Sequence, residues 1–234
     1  TGADVRLIKQ RHPGLPVVTY VNTTADVKAE TDICCTSANA VQVVEWAAKE
    51  WGVDKVILIP DEFLARNVAA QTNVGIIAWK GRCIVHERFN AADIAEMRAA
   101  YPDAEILAHP ECPEEVLAAS DFAGSTAALI DHVTARRPKQ VVLLTECSMA
   151  ANIAGDVPDV QFIGPCNLCP YMKRITLENI RDCLLNMQFE VTVPEALIAP
   201  AQRAVQRMVD LPPPLVPARY DMIKARHHVA VELI

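Results

Sequence analysis

The sequence predicts an α/β fold made of repeated three-layer αβα units with short parallel sheets. Three observations carry that expectation. Short unbroken runs of Val, Ile and Leu recur along the chain, the pattern of strands covered on both faces. Stretches with helical apolar spacing separate them. Part of the pattern also returns at a fixed interval: Asn67-Val68-Ala69 comes back as Asn152-Ile153-Ala154, 85 positions on, the mark of a duplicated unit.

Taken in order, residues 17–22 (VVTYVN) read as a buried strand. Residues 38–50 follow as a helix, with Ala40, Val43, Val44, Trp46 and Ala47 on one side. Residues 55–60 (KVILIP) and 75–79 (GIIAW) are the next two strands. The cycle then restarts with strands at 105–109 (EILAH), 141–145 (VVLLT) and 160–163 (VQFI), helices lying between them. Val56 and Val141 are again 85 positions apart, Asp61-Glu62 falls near Glu146, and Thr36-Ser37 falls near Ser125-Thr126. Each unit closes on a cysteine, Cys83 in the first and Cys166 or Cys169 in the second. The expected organisation is two homologous α/β units over 14–100 and 101–185. Residues 1–13 are then a linker closing an absent first unit, and 186–234 a C-terminal helix with a Pro-containing tail. Pro194 suits the first turn of a helix over 194–208, where its missing N–H costs nothing. Pro200 should kink or break that helix. The run Leu211-Pro212-Pro213-Pro214 ends regular structure, and a peripheral segment follows.

Composition narrows the function classes. With 51% apolar and 22% charged residues in 234, the chain has the profile of a soluble globular protein with a real core. Its net charge of −7 comes from interleaved acids and bases, which argues against nucleic acid as a partner, because phosphate binding needs a concentrated basic face. Aromatics at 5% are too few for a base-stacking platform. No stretch reaches the roughly 18 apolar residues of a membrane span, and Thr1-Gly2-Ala3-Asp4 has no export pattern. The expectation is no membrane association and a cytoplasmic location. The absent initiator Met leaves two expectations, a processed chain or a start further upstream. A chain of this size without an export signal does not need disulfides. Most of the eight cysteines are therefore expected to be small buried hydrophobes, with a subset left for metal ligation.

Cys166-Asn167-Leu168-Cys169-Pro170 is a CxxC motif followed by Pro. A thioredoxin-like redox pair, a zinc site lacking its second pair and an iron–sulfur site with Cys-Pro at a ligand all compete for it. Cys83 at the matching end of the first repeat favours the cluster. Two units then supply one ligand each, and a third unit before Thr1 would supply the rest. Thr36-Ser37-Ala38-Asn39 and Gly124-Ser125-Thr126 sit where loops become helices. They read equally as N-caps or as anion anchors at helix N-termini. Tyr20-Val21-Asn22 and His109-Pro110-Glu111 end strands, where ligands gather in parallel sheets. There His109 could shuttle protons and Glu111 could act as a base. His86, three residues past Cys83, could be a ligand or neighbour of the cluster, but reads more plainly as a strand-end or surface histidine.

The strings YVNTTADVKAETDICCTSANA, PDEFLARNVAAQT, GRCIVHERF, AHPECPEEV, AGSTAALI, TECSM and CNLCPYMKRITLE are ordered and collinear over about residues 1–210. Together they resemble the quinolinate synthase A family. The resemblance implies three α/β units around a pseudo-threefold axis, with a [4Fe-4S] cluster at the centre. Each unit would give one cysteine: Cys83 and Cys169 here, the third lying outside this chain. It leaves Cys166 unneeded and makes Cys34, Cys35, Cys112, Cys147 and Cys183 mainly structural. It further implies condensation of iminoaspartate with dihydroxyacetone phosphate to quinolinate for NAD synthesis, with an iron as Lewis acid and an aspartate oxidase as supplier. Tyr20 and Asn22 resemble a substrate-contacting pair, and Ser37, Ser125 and Thr126 resemble anion anchors. His109 and Glu111, with Tyr20, resemble the catalytic set. The alternative, from the motif alone, is a non-catalytic metal-binding or thiol redox module using Cys166 and Cys169.

Overall fold

A computed structural model describes residues 1–213, 220 and 230–234. Two parallel sheets organise them. The first contains β1 (Val17–Tyr20), β2 (Ile33–Cys35), β3 (Lys55–Ile59) and β4 (Gly75–Ala78), and the second β5 (Glu105–Ala108), β6 (Phe122–Ala123), β7 (Gln140–Leu144) and β8 (Gln161–Ile163). The spatial order is β2-β1-β3-β4 in one and β6-β5-β7-β8 in the other, so the sequence repeat is a repeat of topology. The strand interiors other than β8 are buried, with Val17, Val18, Val56, Ile57, Leu107, Val141 and Val142 at 0% exposure. This is why their apolar runs are continuous rather than alternating.

Helices connect the strands, as parallel pairing requires. They are α2 (Ala25–Ala29), α3 (Ala40–Trp51), α4 (Glu62–Ala69) and α5 (Ala91–Ala100) in the first half, and α6 (Glu114–Ala119), α7 (Thr126–Arg136), α8 (Ser148–Ala154) and α9 (Leu177–Asn186) in the second. α3 buries Ala40, Val43, Val44, Ala47 and Ala48, and ends at Gly52, whose φ of 64° is a left-handed cap that glycine adopts without strain. Asn90 with Asp93, and Thr176 with Asn179, form capping boxes at the starts of α5 and α9. One core cluster runs across both sheets, from Val18 and Leu58 to Ile106, Ala108 and Val116. The two halves therefore share buried surface.

Several segments differ from the sequence expectation. Residues expected to be a linker form α1 (Gly2–Arg11), capped by Thr1 and Asp4. Val5 and Ile8 pack it onto Val17, Ile57, Ile59 and Ile77. The short strands β2 and β6 carry only three and two residues, too few to show as separate apolar runs beside neighbouring helices. Pro200 does not break α10 (Glu195–Asp210), which continues through it. Ala201 and Ala204 bury one face, and contacts with α2 and β2 support the turn that loses one N–H bond. The tail contributes structure too: β9 (Val231–Leu233) adds a parallel edge strand beside β4. Tyr220 is buried in the shared core. The rest of the expected Pro-rich turn and tail, 214–219 and 221–229, lies outside the described residues. Among the described residues, no helix is long and apolar enough to cross a membrane.

α5 and α9 are equivalent helices in different surroundings. Ile94 of α5 is 2% exposed, and that helix packs on α6 of the other half. On and after α9, Leu184, Met187 and Phe189 are 73%, 87% and 64% exposed.

Candidate functional site

The C-terminal ends of the strands in both sheets converge on a cleft of about 300 Å³, the place where parallel sheets gather ligands. Tyr20 ends β1, Cys83 follows β4, Glu111 follows β5 and Cys169 follows β8; all four line the cleft together with Asn22. Ser37 and His109 lie buried behind them. Ser125 and Thr126 are not among the lining residues. Ser125 caps α7, its oxygen accepting from the Ala128 N–H at 3.2 Å, and Thr126 is exposed at that helix's first turn.

The two cysteines are held alike. An isolated parallel bridge joins Asp61 to Gly81 in the first half, and its counterpart joins Glu146 to Asn167 in the second. The cysteine comes two residues after each bridge, which makes Cys169, not Cys166, the equivalent of Cys83. The Cys83 N–H donates to Asp61 Oδ2 at 2.9 Å, and the Cys169 N–H to Glu146 Oε1 at 3.4 Å. Both acids also accept from the backbone of the following helix, Asp61 from the Leu64 N–H at 2.7 Å and Glu146 from the Ser148 N–H at 2.8 Å. Gly81 is required for the first loop: a Cβ there would sit 2.4 Å from the Pro60 oxygen. Burial, then the Glu111 charge, push the Asp61 carboxyl up to about 7 against its two N–H donors.

The other cysteines divide by environment. Cys34, Cys35 and Cys112 are buried, and burial raises each thiol above its ordinary value, which keeps it protonated and inert. Cys147, expected to be a lone structural cysteine, is joined to Cys166. That pairing separates Cys166 from Cys169 and removes the basis for a redox or zinc pair within the CxxC motif. Cys83 and Cys169 are free and partly exposed.

A hydrogen-bonded set backs the cleft. The His109 Nε2 is 3.2 Å from Ser37 Oγ, and its Nδ1 accepts from the Glu111 N–H at 3.3 Å. With Nδ1 accepting, Nε2 carries the proton toward Ser37. Burial, then the neighbouring His86, push His109 down to about 3 in spite of Glu111, so it is a neutral imidazole. Tyr20 Oη reaches toward Ser37 Oγ at 3.5 Å, and burial followed by the Glu111 charge pushes its phenol up to about 12. Glu111 is only 9% exposed. Burial would raise its carboxyl, but His86 and His109 outweigh that and hold it below the ordinary range.

Several more residues complete this set: His86, which the sequence ranked as a strand-end or surface histidine before a cluster neighbour, and others that it passed over. His86 stacks on His109, centroids 4.6 Å apart, and its Nε2 is 3.1 Å from Thr145 Oγ1. Burial would lower its pKa; Cys83 and Glu111 prevail and raise it to about 9. Cys83, His86 and Glu111 bring ligand atoms within 4.8 Å of one another, a donor set able to hold a metal ion. The C-x-x-H spacing was the available signal. Asn67, fully buried, donates to the Pro110 and Cys112 carbonyls at 2.7 and 3.0 Å and so clamps the loop carrying Glu111. Tyr220 Oη donates to the Ser37 carbonyl at 2.9 Å, a contact no local pattern could reveal.

This arrangement can be set beside known proteins. The family model for quinolinate synthetase A protein matches residues 1–210. The chain belongs to that family. A quinolinate synthase of Caulobacter vibrioides is 75% identical over 234 residues, covering 100% of this chain and 64% of the relative. A Xylella fastidiosa quinolinate synthase is 60% identical over 209 residues, covering 89% of this chain and 60% of the relative. Quinolinate synthase 1 of Mesorhizobium japonicum is 60% identical over 209 residues, covering 63% of its own length. The chain thus spans a little under two thirds of the curated relatives it matches. Members of the quinolinate synthetase A family share with it the stretch that holds both cleft cysteines and the His109–Glu111 loop.

Proposed function

We propose that this chain is the larger part of a quinolinate synthase, which condenses iminoaspartate with dihydroxyacetone phosphate to quinolinate, releasing phosphate and water, in NAD biosynthesis. Cys83 and Cys169 are two of the three cysteine ligands of a [4Fe-4S] cluster in this reading. The third comes from the part of the relatives that this chain does not match. The observation that carries it is the pair of free thiols at equivalent loop positions of a duplicated fold, both lining one cleft. The donor set fits: each cysteine backbone is tied to a carboxylate, and the thiols face shared space that the sealed Cys35 and Cys112 do not reach. When bound, the cluster supplies a Lewis-acidic iron that polarises a substrate oxygen.

The protein groups have separate tasks. Tyr20 and Asn22 orient the substrate at the rim. The neutral His109 holds Ser37, and Ser37 with the free N–H groups at the start of α3 receives a carboxylate. Glu111, kept ionised, takes a proton from carbon or nitrogen during ring closure. Ser125 and Thr126, at the start of α7, receive phosphate from outside the cleft's present wall. The two sheets correspond to units 14–100 and 101–185. The exposed apolar surface of α9 is where a further unit packs, as α6 packs on α5. An aspartate oxidase supplies the iminoaspartate, and the location is the cytoplasm.

The test is quinolinate formation by the full-length protein, assayed anaerobically. Cys83→Ser, Cys169→Ser and Glu111→Gln are each expected to lower turnover at least a hundredfold, and Cys166→Ser less than tenfold. Undiminished turnover in either ligand variant would falsify the ligand assignment.

A further inference from the structure

We propose that Tyr220 is a positioning residue for the carboxylate anchor: its hydroxyl, reaching in from the C-terminal tail, holds the Ser37 backbone and with it the Ser37 hydroxyl between His109 and Tyr20. This role rests on the proposed function in one respect, that Ser37 receives a substrate carboxylate.

Tyr220 ties together equivalent places in the two halves. Its ring is buried in the core that both sheets share. Its N–H donates to the Ala123 carbonyl of β6 at 2.9 Å, and its Oη donates to the Ser37 carbonyl at 2.9 Å. β6 and β2 are the matching edge strands of their sheets, and Ser37 lies in the loop after β2. A carbonyl can only accept, so the phenol is the donor. Burial, the largest influence on that phenol, pushes it well above its ordinary value and keeps the proton in place.

The loop it holds is the one that has to aim a hydroxyl. Asn39 does not cap α3 with its side chain. Its Oδ1 is turned back instead, accepting from the Thr36 N–H at 2.7 Å and the Thr36 hydroxyl at 3.1 Å. Ser37 thus sits between a turn closed on itself and an uncapped helix start. Its Oγ faces His109 Nε2 at 3.2 Å and Tyr20 Oη at 3.5 Å. Turning the Ser37 peptide would swing Oγ away from both, so a donor fixed to the carbonyl from behind sets the direction of the hydroxyl in front. An anchor displaced by a fraction of an ångström loses much of its effect. Ser125, the counterpart in the other half, is fixed by its own helix through the Ala128 N–H.

The tail is fastened on both sides of Tyr220. Before it, the Pro212 carbonyl accepts from Gln42 Nε2 of α3 at 2.9 Å. After it, β9 pairs with β4, and the Ile234 N–H donates to the Ala78 carbonyl at 3.0 Å. Tyr220 lies past residue 210, where the match to the family ends, so residues outside the shared stretch reach an anchor inside it.

The experiment uses Tyr220→Phe, which keeps the buried ring and removes only the donor. In the full-length, anaerobically reconstituted protein, the probe is quinolinate, a dicarboxylate, with binding read by calorimetry. Tyr220→Phe and Ser37→Ala are each expected to weaken binding at least about fivefold. In the Ser37→Ala background, Tyr220→Phe should add less than about twofold, because the hydroxyl it positions is gone. A purely structural role would give the same loss in both backgrounds. In the 234-residue chain, which needs no substrate, amide hydrogen exchange at residues 36–41 should quicken at least about tenfold in Tyr220→Phe, with residues 140–144 unchanged. The proposal is overturned by parent-like quinolinate binding in Tyr220→Phe, by a loss that persists in full beside Ser37→Ala, or by unchanged exchange at 36–41. A parent protein that does not bind quinolinate sinks the proposed function and the anchor role with it, while the exchange result separately decides whether the tie exists.

Discussion

Replacing Asn67 with alanine isolates the contact that ties the two halves together beside the site. Asn67 is completely buried, and its amide donates to the Pro110 carbonyl at 2.7 Å and the Cys112 carbonyl at 3.0 Å. The alanine variant strands two buried acceptors. Each costs about 1–3 kcal/mol, giving roughly 2–6 kcal/mol, a large part of a typical total stability of about 5–15 kcal/mol. At about 2–4 °C per kcal/mol for a chain of this size, Tm should fall by at least about 4 °C. The duplicated fold supplies its own control. Asn152, the sequence counterpart of Asn67, is exposed, and Asn152→Ala should stay within about 0.5 kcal/mol of the parent. Thermal unfolding followed by far-ultraviolet circular dichroism compares the two. A Tm loss below about 1 °C for Asn67→Ala, or equal losses for both variants, would refute the clamp.

Further outcomes follow from the same contacts. Glu62 is buried between Arg66 and Arg82, at 2.9 and 3.1 Å; burial works to raise its carboxyl, but the two guanidiniums hold it below the ordinary value. The stability it contributes is therefore present above its unfolded pKa and lost as pH falls through the lower folded one. Glu62→Gln should flatten the acid limb of the stability curve between about pH 6 and about pH 3; an unchanged limb would contradict the pairing. His109, pushed down to about 3, should show no ring titration by NMR between about pH 5 and about pH 8. Leu58→Ala, at a 1% exposed position of β3, should cost about 2–5 kcal/mol in urea unfolding. Alkylation without reductant followed by mass spectrometry should find Cys147 and Cys166 protected together, and Cys169 free. Protection of Cys169 with Cys166 would restore the CxxC redox reading.

The parallel strands were legible in the sequence because two-sided burial writes itself as unbroken Val and Ile runs, as in Lys55–Ile59 and Gln140–Leu144. The repeat was legible because both halves keep the same loop-to-helix punctuation. What stayed hidden depends on contacts distant in sequence. Tyr220 reaches Ser37 across 183 positions, and no local pattern encodes that. His86 ranked as a surface histidine ahead of a cluster neighbour because C-x-x-H alone does not say what faces it; Glu111 supplies that from another sheet. Ser125 accepts from the Ala128 N–H of its own helix, whereas its counterpart Ser37 is engaged by His109. The same residue type at matching positions thus takes different partners in the two halves. α1 was missed because Val5 and Ile8 give too narrow an apolar stripe to stand out in a ten-residue segment.

The most direct measurement is anaerobic reconstitution with iron and sulfide, counting iron on this chain and on the full-length protein. The account predicts about four irons per full-length chain, as one cubane cluster requires, lost on Cys83→Ser or Cys169→Ser, and no stable cluster on the 234 residues alone. A full cluster on this chain by itself, or one that persists in Cys169→Ser, would contradict it.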